Sequence, residues 1–155
     1  MKTIKMIPNK TQLFNNCLDA VNKQIQRYKA EMDTIKESMV ANDVHTDYDE
    51  EGSKGELLGD FEKYAKYLDT AQTMKLTLTK IDREHYSESI KFGSIIETEK
   101  RYYFIACALG EIKMEDGSSV YVISTEAPIY EKIKGKKAGD TFMLNEKEIE
   151  IIEVR

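Results

Sequence analysis

The chain has no tryptophan and, in 155 residues, only two prolines and two cysteines. Nowhere does an apolar run approach the roughly 20 residues a membrane-spanning helix needs. The Lys-bearing opening, Met1 to Lys10, lacks the apolar stretch of a secretion signal. Cys17 and Cys107 lie far apart and match no metal-binding or redox spacing. Internal repeats and low-complexity tracts are also missing. These absences argue against membrane insertion, secretion and a disulfide or zinc scaffold, and point to a reducing cytoplasm.

Positive charge is in deficit too. The formal net charge is -5, which disfavours a bulk electrostatic hold on nucleic acid. Charged residues at 33% and apolar residues at 41% suit a folded chain with a modest core. The acids are unevenly spread: Asp43, Asp47, Asp49, Glu50, Glu51, Glu56, Asp60 and Glu62 stand against a single Lys54. Any functional reading has to explain that cluster.

From about Lys10 to about Asn42, where proline and glycine are absent, the apolar residues fall into heptads. Phe14, Leu18, Val21, Ile25, Tyr28, Met32, Ile35 and Met39 recur at steps of four and three, the seam of a coiled coil. Such a helix extends about 50 Å at about 1.5 Å per residue, and Thr11 is its expected N-cap. A second stripe runs through Leu57, Phe61, Tyr64, Leu68, Ala71, Met74, Leu78 and Ile81. Between them, Gly52, Ser53, Gly55 and Gly59 among the acids read as a reversal. Two stripes joined by a short polar loop bury each other best as an antiparallel hairpin over about residues 10 to 84, with the acids at its far end.

After about Glu88 the pattern becomes β-like. Ile95–Ile96, Tyr102 to Leu109, Val120 to Ile123, Thr141 to Leu144 and Glu148 to Val154 read as strands, bounded by Gly93, Gly110 and the turn Asp116–Gly117. Pro128 to Lys134 reads as a short helix, with proline at its first position and Gly135 ending it. The expected fold class is therefore α+β: a coiled-coil helical hairpin over 1–86, then a small β-rich domain over 87–155 with five or six strands and one helix.

The stretch Val122 to Val154 resembles the C-terminal end of the Gre family of bacterial transcription elongation factors. In that family a strand ending Ile-Ser leads to Ser-Pro-Ile, a short helix, a Gly-Lys turn, a Gly-Asp turn and two strands. Here the matching pieces are Ile123–Ser124, Pro128–Ile129, Gly135–Lys136 and Gly139–Asp140, with Ala127 where serine is usual. The hairpin matches in length, position and acidic end. The family's acidic end carries Asp-x-x-Glu, which falls on Asp47 and Glu50 in His45-Thr46-Asp47-Tyr48-Asp49-Glu50. The family usually continues Asn-Ala-Glu-Tyr, whereas this chain has Glu51-Gly52-Ser53-Lys54.

The resemblance implies an FKBP-like C-terminal domain that grips bacterial RNA polymerase and a hairpin that enters its secondary channel. Asp47 and Glu50 would then act in trans at the polymerase active centre, helping to hold a second Mg²⁺ for cleavage of backtracked RNA. The chain would have no activity alone and no cofactor of its own. It would be a cytoplasmic monomer that meets nascent RNA and DNA only through the elongation complex, and no membrane. An alternative is a non-cleaving channel binder that regulates initiation or elongation, and a third is a coiled-coil adaptor, against which the C-terminal motif argues. Locally, Asp47, Asp49, Glu51 and Gly52 also fit positions one, three, five and six of an EF-hand loop, but position twelve is Leu58, which cannot ligate. His45 reads as a metal ligand or proton carrier, or as neither. Lys23, Arg27, Lys36, Lys63 and Lys66 read either as a face for nascent RNA or as solubilising flanks of the coiled coil. Cys17, beside the seam, reads as a small buried hydrophobe.

Overall fold

A 3.5-residue apolar repeat commits a chain to helices that must cover one another, and two long helices open this protein. The computed structural model describes the backbone of residues 8–44 and 50–155 and the side chains of residues 8–41 and 55–155. Helix α1 spans Lys10–Val44 and α2 spans Glu50–Thr79. Asn9, not Thr11, caps α1: its Oδ1 accepts from Gln12 N–H at 3.1 Å and its carbonyl from Leu13 N–H at 2.9 Å. Every residue of both heptad stripes is buried or half-buried, while most of their helical neighbours are exposed. The two helices form the hairpin that the stripes demand.

The chain divides into two compact units, one of Met1–Leu18 with Leu76–Arg155 and one of Asp19–Lys75. The boundary expected at residue 86 falls inside the first of these. In the Asp19–Lys75 unit, Val21 and Ala71 are fully buried. The Tyr28 ring lies 6.2 Å from Tyr64 and 5.5 Å from Tyr67, tying α1 to α2 across the seam. Helix α1 ends at Val44 and α2 begins at Glu50. Gly52, Ser53, Gly55 and Gly59 do not make the turn, because all four lie within α2. The seam residues Leu57 and Phe61 override the weak helical preference of glycine.

The other unit is built on a six-stranded sheet in the order β3-β4-β2-β1-β6-β5. Its strands are β1 (Ile95–Thr98), β2 (Tyr102–Ile105), β3 (Gly110–Lys113), β4 (Ser119–Ile123), β5 (Thr141–Leu144) and β6 (Lys147–Val154). Only β2 and β4 pair in parallel. The strand expected from Tyr102 to Leu109 ends at Ile105, and Gly110 opens β3, which the sequence did not announce. This edge strand reads Gly-Glu-Ile-Lys, with only Ile112 half-buried, and backbone pairing to β4 defines it.

Helix α3 (Pro128–Ile133) follows β4. Ala127 sits at its N-cap and offers no side-chain hydrogen bond. Gly135, at φ +76°, ends it, and its N–H donates to Ile90 O at 2.8 Å. One face of the sheet buries Ile96, Tyr103, Ile105, Phe142, Ile149 and Ile151 with Ile90 and Ile133. The alternate residues Ile95, Phe104, Val120 and Val122 point the other way and are buried as well. Also buried in this unit are Leu13, Phe14 and Cys17 from α1, Leu78 from α2, and Ile81 just beyond it. Asn16 Nδ2 donates to Met114 Sδ at 3.4 Å, so the first turns of α1 touch the β3–β4 connection.

Candidate functional site

The acidic run has three parts in the structure. Asp47, with His45 and Asp49, lies outside the described residues. Glu50 is the first residue of α2, and its side chain is outside the described set. Glu56, Asp60 and Glu62 are exposed on α2. Starting α2 at Glu50 excludes the EF-hand alternative, since a calcium loop over 47–58 needs a non-helical backbone where this chain is helical. Leu58, at the position of the essential glutamate, is 51% exposed. Among the described residues no three His, Cys, Asp or Glu side chains converge as a metal site.

Along the hairpin, the basic residues sit beside the aromatic layer of the seam. Arg27 lies over the Tyr28 ring at 5.9 Å and Lys63 over the Tyr64 ring at 5.2 Å. Tyr64 and Tyr67 meet edge to face at 5.8 Å. Cations on aromatic faces at this range cover the ring while keeping the charge in water. That arrangement favours the reading of coiled-coil flanks over a free cationic face.

Cys17 is fully buried, as expected of a small hydrophobe. Burial, with a smaller contribution from Cys107, pushes its thiol up to about 12, and burial takes Cys107 up to about 11. Both are poor nucleophiles and metal ligands in the folded state. The Asp116–Gly117 turn is a structural device: Asp116 Oδ1 accepts from Ser118 N–H at 2.8 Å and from Ser118 Oγ–H at 2.6 Å. Those bonds hold the Asp116 carboxyl below the usual carboxylate range. Among the described residues, no helix is long and apolar enough to cross a membrane.

No family model matches the chain, and no curated protein matches it. Solved structures do align along most of its length. A structure of the transcription factor Gfh1 aligns at 14% identity over 89% of this chain and 92% of that one, with a TM-score of 0.36. GreA factor homolog 1 (Gfh1) of Thermus thermophilus aligns at 13% identity over 89% and 94%, with a TM-score of 0.34. Gfh1 of Thermus aquaticus aligns at 16% identity over 90% and 94%, with a TM-score of 0.33. The α+β fold rests on the elements described above.

Proposed function

We propose that the protein is a Gre-type transcription factor that inserts its hairpin into the secondary channel of bacterial RNA polymerase and stimulates cleavage of backtracked RNA. The observation that carries this reading is the pairing of two features in one chain. One is a two-helix hairpin whose second helix begins inside the acidic run, at Glu50. The other is a C-terminal order of strand, Pro-led helix, Gly-Asp turn and two strands, β4 to β6, which follows the resemblance piece by piece. At about 1.5 Å per residue the part of each helix within Asp19–Lys75 extends about 40 Å, a length suited to a deep channel.

Asp47 and Glu50 carry the chemistry in this proposal. Carboxylates are hard oxygen donors, the ligand type Mg²⁺ prefers, and one or two suffice where the partner supplies the rest. A second Mg²⁺ held there would stabilise charge during phosphodiester cleavage at the polymerase centre. Three residues apart, the two acids share a face if the helical turn continues through them. The chain contributes those two ligands and no active site of its own. A non-cleaving channel binder is the second reading, favoured by the departure Glu51-Gly52-Ser53-Lys54 from the family pattern. A cleavage assay on stalled, backtracked RNA polymerase, with and without the full chain, tests both. Shortened transcripts only when the chain is present support the first reading. Binding without cleavage supports the second, and absence of binding overturns both.

A further inference from the structure

A basic cleft of about 180 Å³ lies within the sheet-bearing unit, lined by Lys10, Lys80, Lys91, His85, Ser94 and Asp82 among others. Its floor holds an uncommon feature. Lys10 is only 4% exposed, although lysines seldom lose their water without a partner charge. Its ammonium donates to His85 O at 2.9 Å and lies 5.0 Å from the centre of the Tyr86 ring. One carbonyl and one ring face leave donors of the three-donor head unused. Burial holds the Lys10 ammonium below the usual lysine range, Asp82 opposes that shift, and Lys91 adds to it.

The rest of the cleft adds cations faster than anions. Lys91 Nζ donates to His85 Nε2 at 3.2 Å, which holds the Lys91 ammonium on the rim beside a neutral imidazole nitrogen. Three lysines and a single carboxylate, Asp82, line the cleft. Ser94, 2% exposed, accepts the Lys91 N–H through Oγ at 3.1 Å, which leaves its hydroxyl hydrogen to donate. A surplus of like charge around a buried lysine costs free energy unless an anion enters, and nothing in the hairpin chemistry uses these groups.

We propose that this cleft, built from Lys10, Lys80 and Lys91, binds a phosphate-bearing anion of pyrophosphate size. A carboxylate offers two oxygens in one plane, whereas a phosphoryl chain offers several in three dimensions, which suits a cleft whose lysines come from three separate segments. Lysine suits such a ligand as a point charge. The phosphoryl group is free pyrophosphate or the tail of a nucleotide, the same chemistry from two sources. This site stands apart from the polymerase reading and would survive its failure.

The test is calorimetric titration of the full chain at low ionic strength with pyrophosphate, ATP and acetate. Pyrophosphate is expected to bind, and acetate to give no heat. ATP binding as tightly as pyrophosphate assigns the nucleotide source, and ATP excluded while pyrophosphate binds assigns the free anion. Lys80→Gln and Lys91→Gln each remove an exposed lysine from the rim and should weaken binding roughly tenfold, the loss of one charge-assisted contact. Lys147→Gln, outside the cleft, should leave it unchanged. Lys10→Gln alters a buried position and can fail to fold, so the two rim variants decide. Absence of heat with both phosphates, an unchanged affinity in both rim variants, or acetate binding as well as pyrophosphate overturns the proposal.

Discussion

Replacing Gly55 and Gly59 by alanine separates a turn from a helix at the acidic end of the hairpin. Both glycines lie in α2, and a methyl group added at either meets no atom within 4 Å. Neither has the positive φ at which a side chain would be strained. In a helix interior, glycine is less favourable than alanine by about 0.8–1.0 kcal/mol, because the unfolded glycine has more backbone freedom to lose. The sites are one turn apart and exposed, so their methyl groups do not crowd and the effects should add. The double variant Gly55→Ala/Gly59→Ala is thus expected to stabilise this part of α2 by about 1–2 kcal/mol, roughly a five- to thirtyfold change in an opening equilibrium. Amide hydrogen exchange along α2 reads that directly, as slower exchange around the two sites. If the glycines instead made the reversal at positive φ, alanine would cost about 1 kcal/mol or more. Faster exchange in the double variant would refute the helical assignment from Glu50.

Three further perturbations follow from packing and titration. Ile25→Ala and Leu68→Ala should each cost about 1–2 kcal/mol in urea unfolding, less than at a fully buried site, because both side chains are only half-buried. Phe104→Ala, at a fully buried position, should cost about 3–5 kcal/mol. Equal losses at all three would contradict the burial pattern. A fragment starting at residue 88 loses the buried Leu13, Phe14, Cys17, Leu78 and Ile81, so it should lack a dispersed amide spectrum; a well-dispersed one would place a domain boundary near residue 86. Stability should also fall above about pH 9. Burial raises the Cys17 and Cys107 thiols to about 12 and about 11 from 9.0, so the unfolded chain releases those protons first. Stability present below pH 9 is then lost as the pH rises towards those values, by at most about 1.4 kcal/mol per pH unit per thiol. The raised Tyr102 and Tyr103 act in the same direction, while the lowered Lys10 opposes them by adding stability as pH rises towards 10.5. Urea midpoints from pH 8 to pH 11 should therefore decline, and less steeply in Cys17→Ala.

The hairpin was legible because its signal is periodic: sixteen positions at steps of four and three have one economical solution, two helices facing each other. The same holds for β2 and β4, whose aromatic and β-branched runs fit a doubly covered sheet. Local chemistry was less legible. Gly52 to Gly59 looked like a turn because glycine marks reversals, yet the seam residues after it carry the helix back to Glu50. Asn9 caps α1 although Thr11 is also a capping residue type, since asparagine is the stronger cap and the first turn closes on it. β3 has almost no apolar signature, because an edge strand is held by its backbone. The lysine cleft had no linear signal at all, being assembled from residues around 10, 80 and 91. The acidic pair Asp47 and Glu50 was legible through the resemblance and its three-residue spacing.

The most direct test of the polymerase proposal compares cleavage rates of backtracked RNA polymerase with the unmodified chain and with Asp47→Asn, Glu50→Gln and Asp49→Asn. Loss of a metal-holding carboxylate should slow stimulated cleavage by roughly a hundredfold or more, while binding to polymerase is retained. Asp49→Asn should change the rate far less, because adjacent positions on a helical turn do not share a face with one another. The stimulation itself should depend on Mg²⁺ concentration. Equal losses for all three variants would point to a diffuse acidic field, and a chain that binds polymerase yet stimulates no cleavage would contradict the account.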